Sequence, residues 1–285
     1  MLEYDHLGQL NRSLGKYLII TFGFSWLLWL PSLLSSFLLI PHLPLYNLLL
    51  VIGSFGPFIA AFSLTLKEGG IEGVKSLWKK GWHCDNKIFL VLSLTIIPVL
   101  CILSLLIANI FEGEAFINYI NLYRYGYIFT EIFVILFFSG PFQEEFGWRG
   151  YALYYLQSKL NAFESSLVLG GICSVWHYPL FFINITAYYR QNFYSFTIFL
   201  LALSIIFTWL NNNTNGSILV ALLFHTSINA SYSLFLQNIT RLGSINFIIL
   251  LDIFMVVILF TFGQEKLKRT NIKRKISIKL SKKTL

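Results

Sequence analysis

The chain has 285 residues, of which 56% are hydrophobic and only 12% charged, about half the charged fraction of a soluble domain. That balance excludes an ordinary soluble globule and points to one membrane-embedded domain over residues 1–285. A net charge of +8 would fit a nucleic-acid partner in a soluble protein, but here the basic residues gather in loops and in the tail, which marks membrane orientation and argues against nucleic acid.

Taken in chain order, apolar segments lie near 17–40, 47–66, 88–110, 127–143, 165–182, 194–210, 217–236 and 244–263. Each is about 17 to 24 residues, enough to cross a hydrocarbon core of roughly 30 Å. They predict an all-α polytopic fold of about eight transmembrane helices. The first starts too late and runs too long, with no small-residue cleavage site, to be a signal peptide.

Orientation follows from lysine and arginine. With the N-terminus cytoplasmic, the inner segments hold Arg12 and Lys16; Lys67, Lys75, Lys79, Lys80 and Lys87; Arg149 and Lys159; and nine basic residues from Lys266 to Lys283. The outer segments hold only Arg124, Arg190 and Arg241. Both termini are therefore expected inside, with the lipid bilayer as the surrounding partner.

Two connections carry charge. Residues 145–164 have helix-like spacing that suits an amphipathic helix at the cytoplasmic interface, or equally a loop with one helical turn. The basic tail, 264–285, reads as an orientation and anchoring feature against anionic headgroups. Asn211 to Gly216 reads as a turn between spans. Cys84, Cys101 and Cys173 form no CxxC pair and read as small hydrophobes outside any disulfide or metal site.

Three polar clusters interrupt the apolar runs, and ionisable residues at membrane depth are sites by default. The first is Gly140-Pro141-Phe142-Gln143-Glu144-Glu145-Phe146-Gly147-Trp148-Arg149-Gly150-Tyr151. On a helix Glu145 and Arg149 share a face with the acid on the N-terminal side, the better order for an ion pair. Glu144 points about 100° away, leaving one carboxylate neutralised and the other open to chemistry. The plainer alternative is a salt-bridge network at a helix end.

The second cluster is Trp176-His177-Tyr178-Pro179, where Pro179 leaves the Val175 carbonyl without its usual donor and predicts a kink. The third, His225 and Asn229, has the i, i+4 spacing that turns both side chains towards one polar cavity. For both, hydrogen-bonded helix packing is the competing explanation. Two histidines and a glutamate (Glu144, His177, His225) also resemble a zinc set. Yet the histidines lie on different spans, unlike those of an HExxH helix, and no fourth ligand completes the set. The alternative is hydrolysis without a metal or other cofactor, in which a carboxylate activates water and donors hold the oxyanion.

Together the three clusters resemble the CPBP family of intramembrane proteases, which includes CaaX proteases and bacteriocin-processing enzymes. Its EExxxR motif matches Glu144, Glu145 and Arg149; its FxxxH matches at His177, with Cys173 in place of phenylalanine; its HxxxN matches His225 and Asn229. The resemblance covers roughly residues 125–240. It implies an intramembrane glutamic endopeptidase acting in a conical cavity on a peptide or membrane-protein substrate. Glu144, aided by His177, would be the base, His225 and Asn229 the oxyanion hole, and Glu145 and Arg149 the supports. The Asn, Ile, Leu, Phe and Lys bias fits an AT-rich bacterial genome and a plasma-membrane location, where prenylated CaaX substrates are not expected. A non-catalytic scaffold or bacteriocin-immunity protein that binds peptide in the same cavity is the alternative.

Overall fold

The computed structural model describes residues 2–113, 127–236 and 239–268. Among these the regular elements are all helical: α1 (Leu2–Ser36), α2 (Leu45–Gly53), α3 (Gly56–Lys80), α4 (Ile88–Glu112), α5 (Ile128–Phe138), α6 (Pro141–Gly147), α7 (Leu153–Gln157), α8 (Ala162–His177), α9 (Phe193–Asn213), α10 (Ile218–Ser231) and α11 (Arg241–Phe262). Two π-helical turns, Trp148–Ala152 and Tyr232–Leu236, follow α6 and α10, and a 3-10 turn, Tyr178–Phe182, extends α8.

Among the described residues six stretches are long and apolar enough to cross a membrane: Ser13–Ser36, Ile88–Glu112, Ala162–Phe182, Phe193–Asn213, Ile218–Phe235 and Arg241–Phe262. The pair α2 and α3, bent by 46°, adds a seventh if the two helices form one span. The protein is therefore an integral membrane protein, and its apolar side chains face outward accordingly, Phe129 at 86% and Phe260 at 88% exposure. The eighth expected span, 127–143, is not one helix. Its 11-residue α5 covers about 16 Å, and Gly140, at φ 112° and ψ −58°, turns the chain before Pro141 starts α6.

Side-chain caps fix where several helices begin. Asn161 and Glu164 form a reciprocal capping box on α8, while Asn192, Ser217 and Thr240 cap α9, α10 and α11. Two apolar clusters result. One is centred on Trp29, Phe146, Trp148, Leu169 and Trp176, the other on Ile97, Leu105, Ile206, Leu210 and Phe224. Helix α6 belongs to the first and packs on α3 and α10, so the charged residues are brought to the seam between the two clusters.

Two connections differ from their expected character. Within residues 145–164 one side is built into the bundle, with Glu145, Trp148, Arg149, Tyr151, Leu153 and Leu156 buried, while Tyr154 is 68% exposed. The Asn-rich turn is a clasp on the start of the tail: Asn212 Nδ2 donates to Lys266 O at 2.9 Å, and Asn213 Nδ2 to Leu267 O at 2.7 Å. Free N–H groups at the start of α8 complete it, Phe163 and Ala162 donating to Gln264 O and Glu265 O. The tail beyond 268 lies outside the described residues. All three cysteines are free thiols.

Candidate active site

Gly140 sets the site's geometry. Its positive φ favours glycine, and a Cβ there would come within 2.9 Å of Glu144 Oε1 and 3.3 Å of His225 Nε2. The bend is held from three sides. Gly140 N–H donates to Gln143 Oε1 at 2.9 Å, Gln143 Nε2 donates to Val51 O at 2.9 Å, and Asn229 Nδ2 donates to Ser139 O at 2.8 Å. Gly147 at the other end of α6 allows close approach, since a Cβ there would sit 2.5 Å from both Pro57 O and the Tyr17 hydroxyl.

Glu144 and Glu145 diverge as their helical spacing requires. Arg149 Nη1 donates to both Glu145 oxygens at 3.1 Å, and its guanidinium lies 3.7 Å above the Phe207 ring, where a cation is attracted to the ring face. Glu145 also accepts from His225 Nδ1 at 2.7 Å, a link between α6 and α10 that the sequence did not reveal. Glu144 has different neighbours. Trp148 Nε1 donates to its Oε2 at 3.2 Å, and its Oε1 lies 4.0 Å from His177 Nε2.

His177 sits at the last residue of α8. Its Nδ1 is 2.7 Å from Cys173 O, and because a carbonyl only accepts, Nδ1 carries the proton. In the neutral ring Nε2 is then an open acceptor turned towards Glu144. The backbone of Cys173 thus makes the polar contact, so the absence of the family's phenylalanine side chain leaves this bond intact. The expected orphan at Val175 does not arise, since its carbonyl accepts from the Tyr178 N–H as the helix tightens into the 3-10 turn.

Glu144, Glu145, Arg149, His177 and His225 therefore meet across three helices and the turn after α6, around the notch at Gly140. Asn229 stands one turn beyond His225 and holds the bend itself. Trp148 is the contributor that the motif reading passed over, although its i+4 spacing from Glu144 placed it on the same helical face. Among the described residues no group of three or more His, Cys, Asp or Glu side chains is arranged to hold a metal ion.

The fold and site define a polytopic helical membrane protein with a buried centre of carboxylates and histidines. Residues 127–231 match the Rce1-like family model, described as type II CAAX prenyl endopeptidase Rce1-like. The chain is also 29% identical over 227 residues to CAAX prenyl protease 2 of Methanococcus maripaludis, a match covering 76% of this chain and 83% of that protein. Both comparisons show a resemblance to CAAX prenyl proteases, and the family match contains every motif residue named above. It supports endopeptidase activity in the membrane.

Proposed function

We propose that the protein is a glutamic intramembrane endopeptidase that hydrolyses a peptide bond of a peptide or membrane-protein substrate without a metal or other cofactor. The observation that carries this reading is that Glu144 Oε1 and His225 Nε2 both face the notch left by Gly140 while His177 Nε2 lies 4.0 Å from Glu144 Oε1. The 4.0 Å separation of Glu144 and His177 is too long for a direct hydrogen bond and suits a water held between two acceptors.

In this mechanism Glu144, as carboxylate, takes a proton from that water while its oxygen attacks the scissile carbonyl carbon. His177 orients the water through Nε2. The carbonyl π electrons move to oxygen, and the resulting oxyanion is met by donors from α10. Asn229 has a second amide hydrogen beyond the one given to Ser139 O. His225, its Nδ1 engaged by Glu145, turns the Nε2 edge of its ring towards the same space. Collapse of the tetrahedral intermediate breaks the C–N bond, and the proton held by Glu144 passes to the leaving amine.

The orientation that accompanies this reading has both termini cytoplasmic in the plasma membrane. It requires α5 and α6, with the break at Gly140, to make the eighth crossing together. A discontinuous span is tolerated where its irregular backbone is buried in protein or lines a cavity.

The deciding experiment uses purified full-length protein and an internally quenched peptide library. The unaltered chain should cleave at least one peptide, whereas Glu144→Gln, which keeps shape and removes the base, should bind that peptide without turnover. An active Glu144→Gln protein would refute the mechanism. Peptide binding without turnover by the unaltered chain would instead favour a non-catalytic immunity or scaffold role.

A further inference from the structure

His177 has one polar tether, the hydrogen bond from Nδ1 to Cys173 O. A single bond to a carbonyl in its own helix leaves the imidazole free to swing about the bond. What fixes the plane is aromatic. Trp176 meets the ring edge-on at 4.7 Å and 87°, Phe196 from α9 at 5.3 Å and 64°, and Tyr188 at 5.3 Å and 59°. Two of these rings stand on spans, but Tyr188 belongs to the connection 183–192, which none of the three motifs includes.

That connection is built to hold its position. Asn184 N–H donates to Ser36 Oγ at 3.1 Å, and Ser36 Oγ donates to Asn184 Oδ1 at 3.2 Å, tying the loop to the end of α1. Thr186 Oγ1 donates to Leu180 O at 2.6 Å, and Gln191 N–H closes a turn on Tyr188 O at 2.9 Å. The Tyr188 ring then packs on Phe181 at 5.5 Å and Phe196 at 5.4 Å. Desolvation, with Glu144 and Tyr232 nearby, pushes the Tyr188 phenol well above its ordinary value, so no second negative charge forms beside Glu144.

We propose that Tyr188 is a positioning residue: its ring closes the third side of an aromatic box that keeps His177 Nε2 facing Glu144, and the loop 183–192 is thereby part of the catalytic apparatus. The proposal rests on the reading of His177 as the partner of Glu144. Cys173, which stands where the family pattern has phenylalanine, brings no ring to this box, whereas Tyr188 does. The consequence is a kinetic one. Losing the ring disorders the histidine without removing a substrate contact, so kcat should fall and KM should hold.

The test compares Tyr188→Ala, Tyr188→Leu and Tyr188→Phe in full-length protein, using the library peptide that the unaltered chain cleaves fastest. A misplaced catalytic group lowers rate by roughly 100-fold, and that fall in kcat is expected for Tyr188→Ala and Tyr188→Leu, with recovery in Tyr188→Phe. Leucine fills the volume without a flat ring, so it decides the matter if Tyr188→Ala melts early in detergent. Unaltered kcat in Tyr188→Leu, a change in KM alone, or a Tyr188→Phe as slow as Tyr188→Leu would each overturn the proposal. His177→Ala, measured alongside, keeps the two readings apart. If it is inactive while Tyr188→Leu is fully active, only the positioning role fails; if it is itself active, the pairing with Glu144 fails.

Discussion

Glu145 and His225 stand on different helices, 80 residues apart in the chain, and share a 2.7 Å hydrogen bond. Because Arg149 contacts the same carboxylate at 3.1 Å, one buried negative charge ties the first motif to the third. The expected consequence of Glu145→Gln is twofold. Arg149 is left charged and unpaired in a buried place, which costs about 3–5 kcal/mol when one partner of such a pair is removed, and His225 loses the carboxylate that orients its ring. Both the thermal midpoint and turnover should fall, checked by a melting curve in detergent beside the peptide assay. Wild-type stability in Glu145→Gln would mean that the pair contributes nothing to the fold.

Trp148 isolates a different effect. Its indole N–H is given to Glu144 Oε2 at 3.2 Å, leaving Oε1 to face His177. Trp148→Phe keeps most of the buried ring and deletes only that donor. Hydrogen bonds to charged groups contribute about 1.5–3 kcal/mol, so kcat should drop by about one to two orders of magnitude while peptide binding is retained. Equal kcat in the two proteins would show that the bond has no part in aiming the carboxylate.

At Gly140 a single methyl group meets both an unfavourable backbone and an occupied space. The φ of 112° belongs to a region that is essentially glycine's, with strain of order 1–3 kcal/mol for other residues. The added Cβ would also lie 2.9 Å from Glu144 Oε1. Gly140→Ala is therefore expected to lose turnover more completely than it loses stability, measured by the ratio of kcat to that of the unaltered chain at a temperature where both are folded.

Zinc enters as a prediction about composition. With no group of three metal-binding side chains arranged among the described residues, active purified protein should contain substoichiometric zinc by elemental analysis and should keep its activity after chelation. Stoichiometric zinc whose removal abolishes turnover and whose return restores it would replace the glutamate mechanism with a metal-dependent one.

The sequence exposed the parts of the site that depend on local spacing and concealed those made by distant contacts. Glu145 with Arg149 was readable because residues four apart on a helix are neighbours. The His225 link to Glu145 was not, since nothing in either motif specifies how α6 and α10 pack. Tyr188 was invisible for the same reason, being a loop aromatic in a chain where 18% of residues are aromatic. The spans were legible from hydropathy, except that 47–66 and 127–143 looked continuous and each is broken. Hydropathy reports apolarity without regard to backbone direction, and the φ of Gly140 decides that direction. The burial of Glu145, Trp148 and Arg149 is not legible in an amphipathic pattern, which places charge on an exposed face. Arg149 is buried with its partner and an aromatic ring, which periodicity alone does not show.

The last prediction concerns that broken span and the side of the membrane to which the site opens. Counting the six long helices and taking α2 with α3 as one span gives seven among the described residues; if α5 and α6 together also cross, the total is eight and both termini share a compartment, and if they do not, the termini lie on opposite sides. The basic residues of the tail and of the Lys67–Lys87 region favour one cytoplasmic side for both. A cysteine introduced at Ser281, in a chain whose three native cysteines are replaced by serine, should be protected from a membrane-impermeant thiol reagent in intact cells and labelled after lysis. A second probe at Ser13, at the start of the first span, should behave in the same way. Labelling of Ser281→Cys from outside, with Ser13→Cys protected, would show that the chain turns back at Gly140 without crossing.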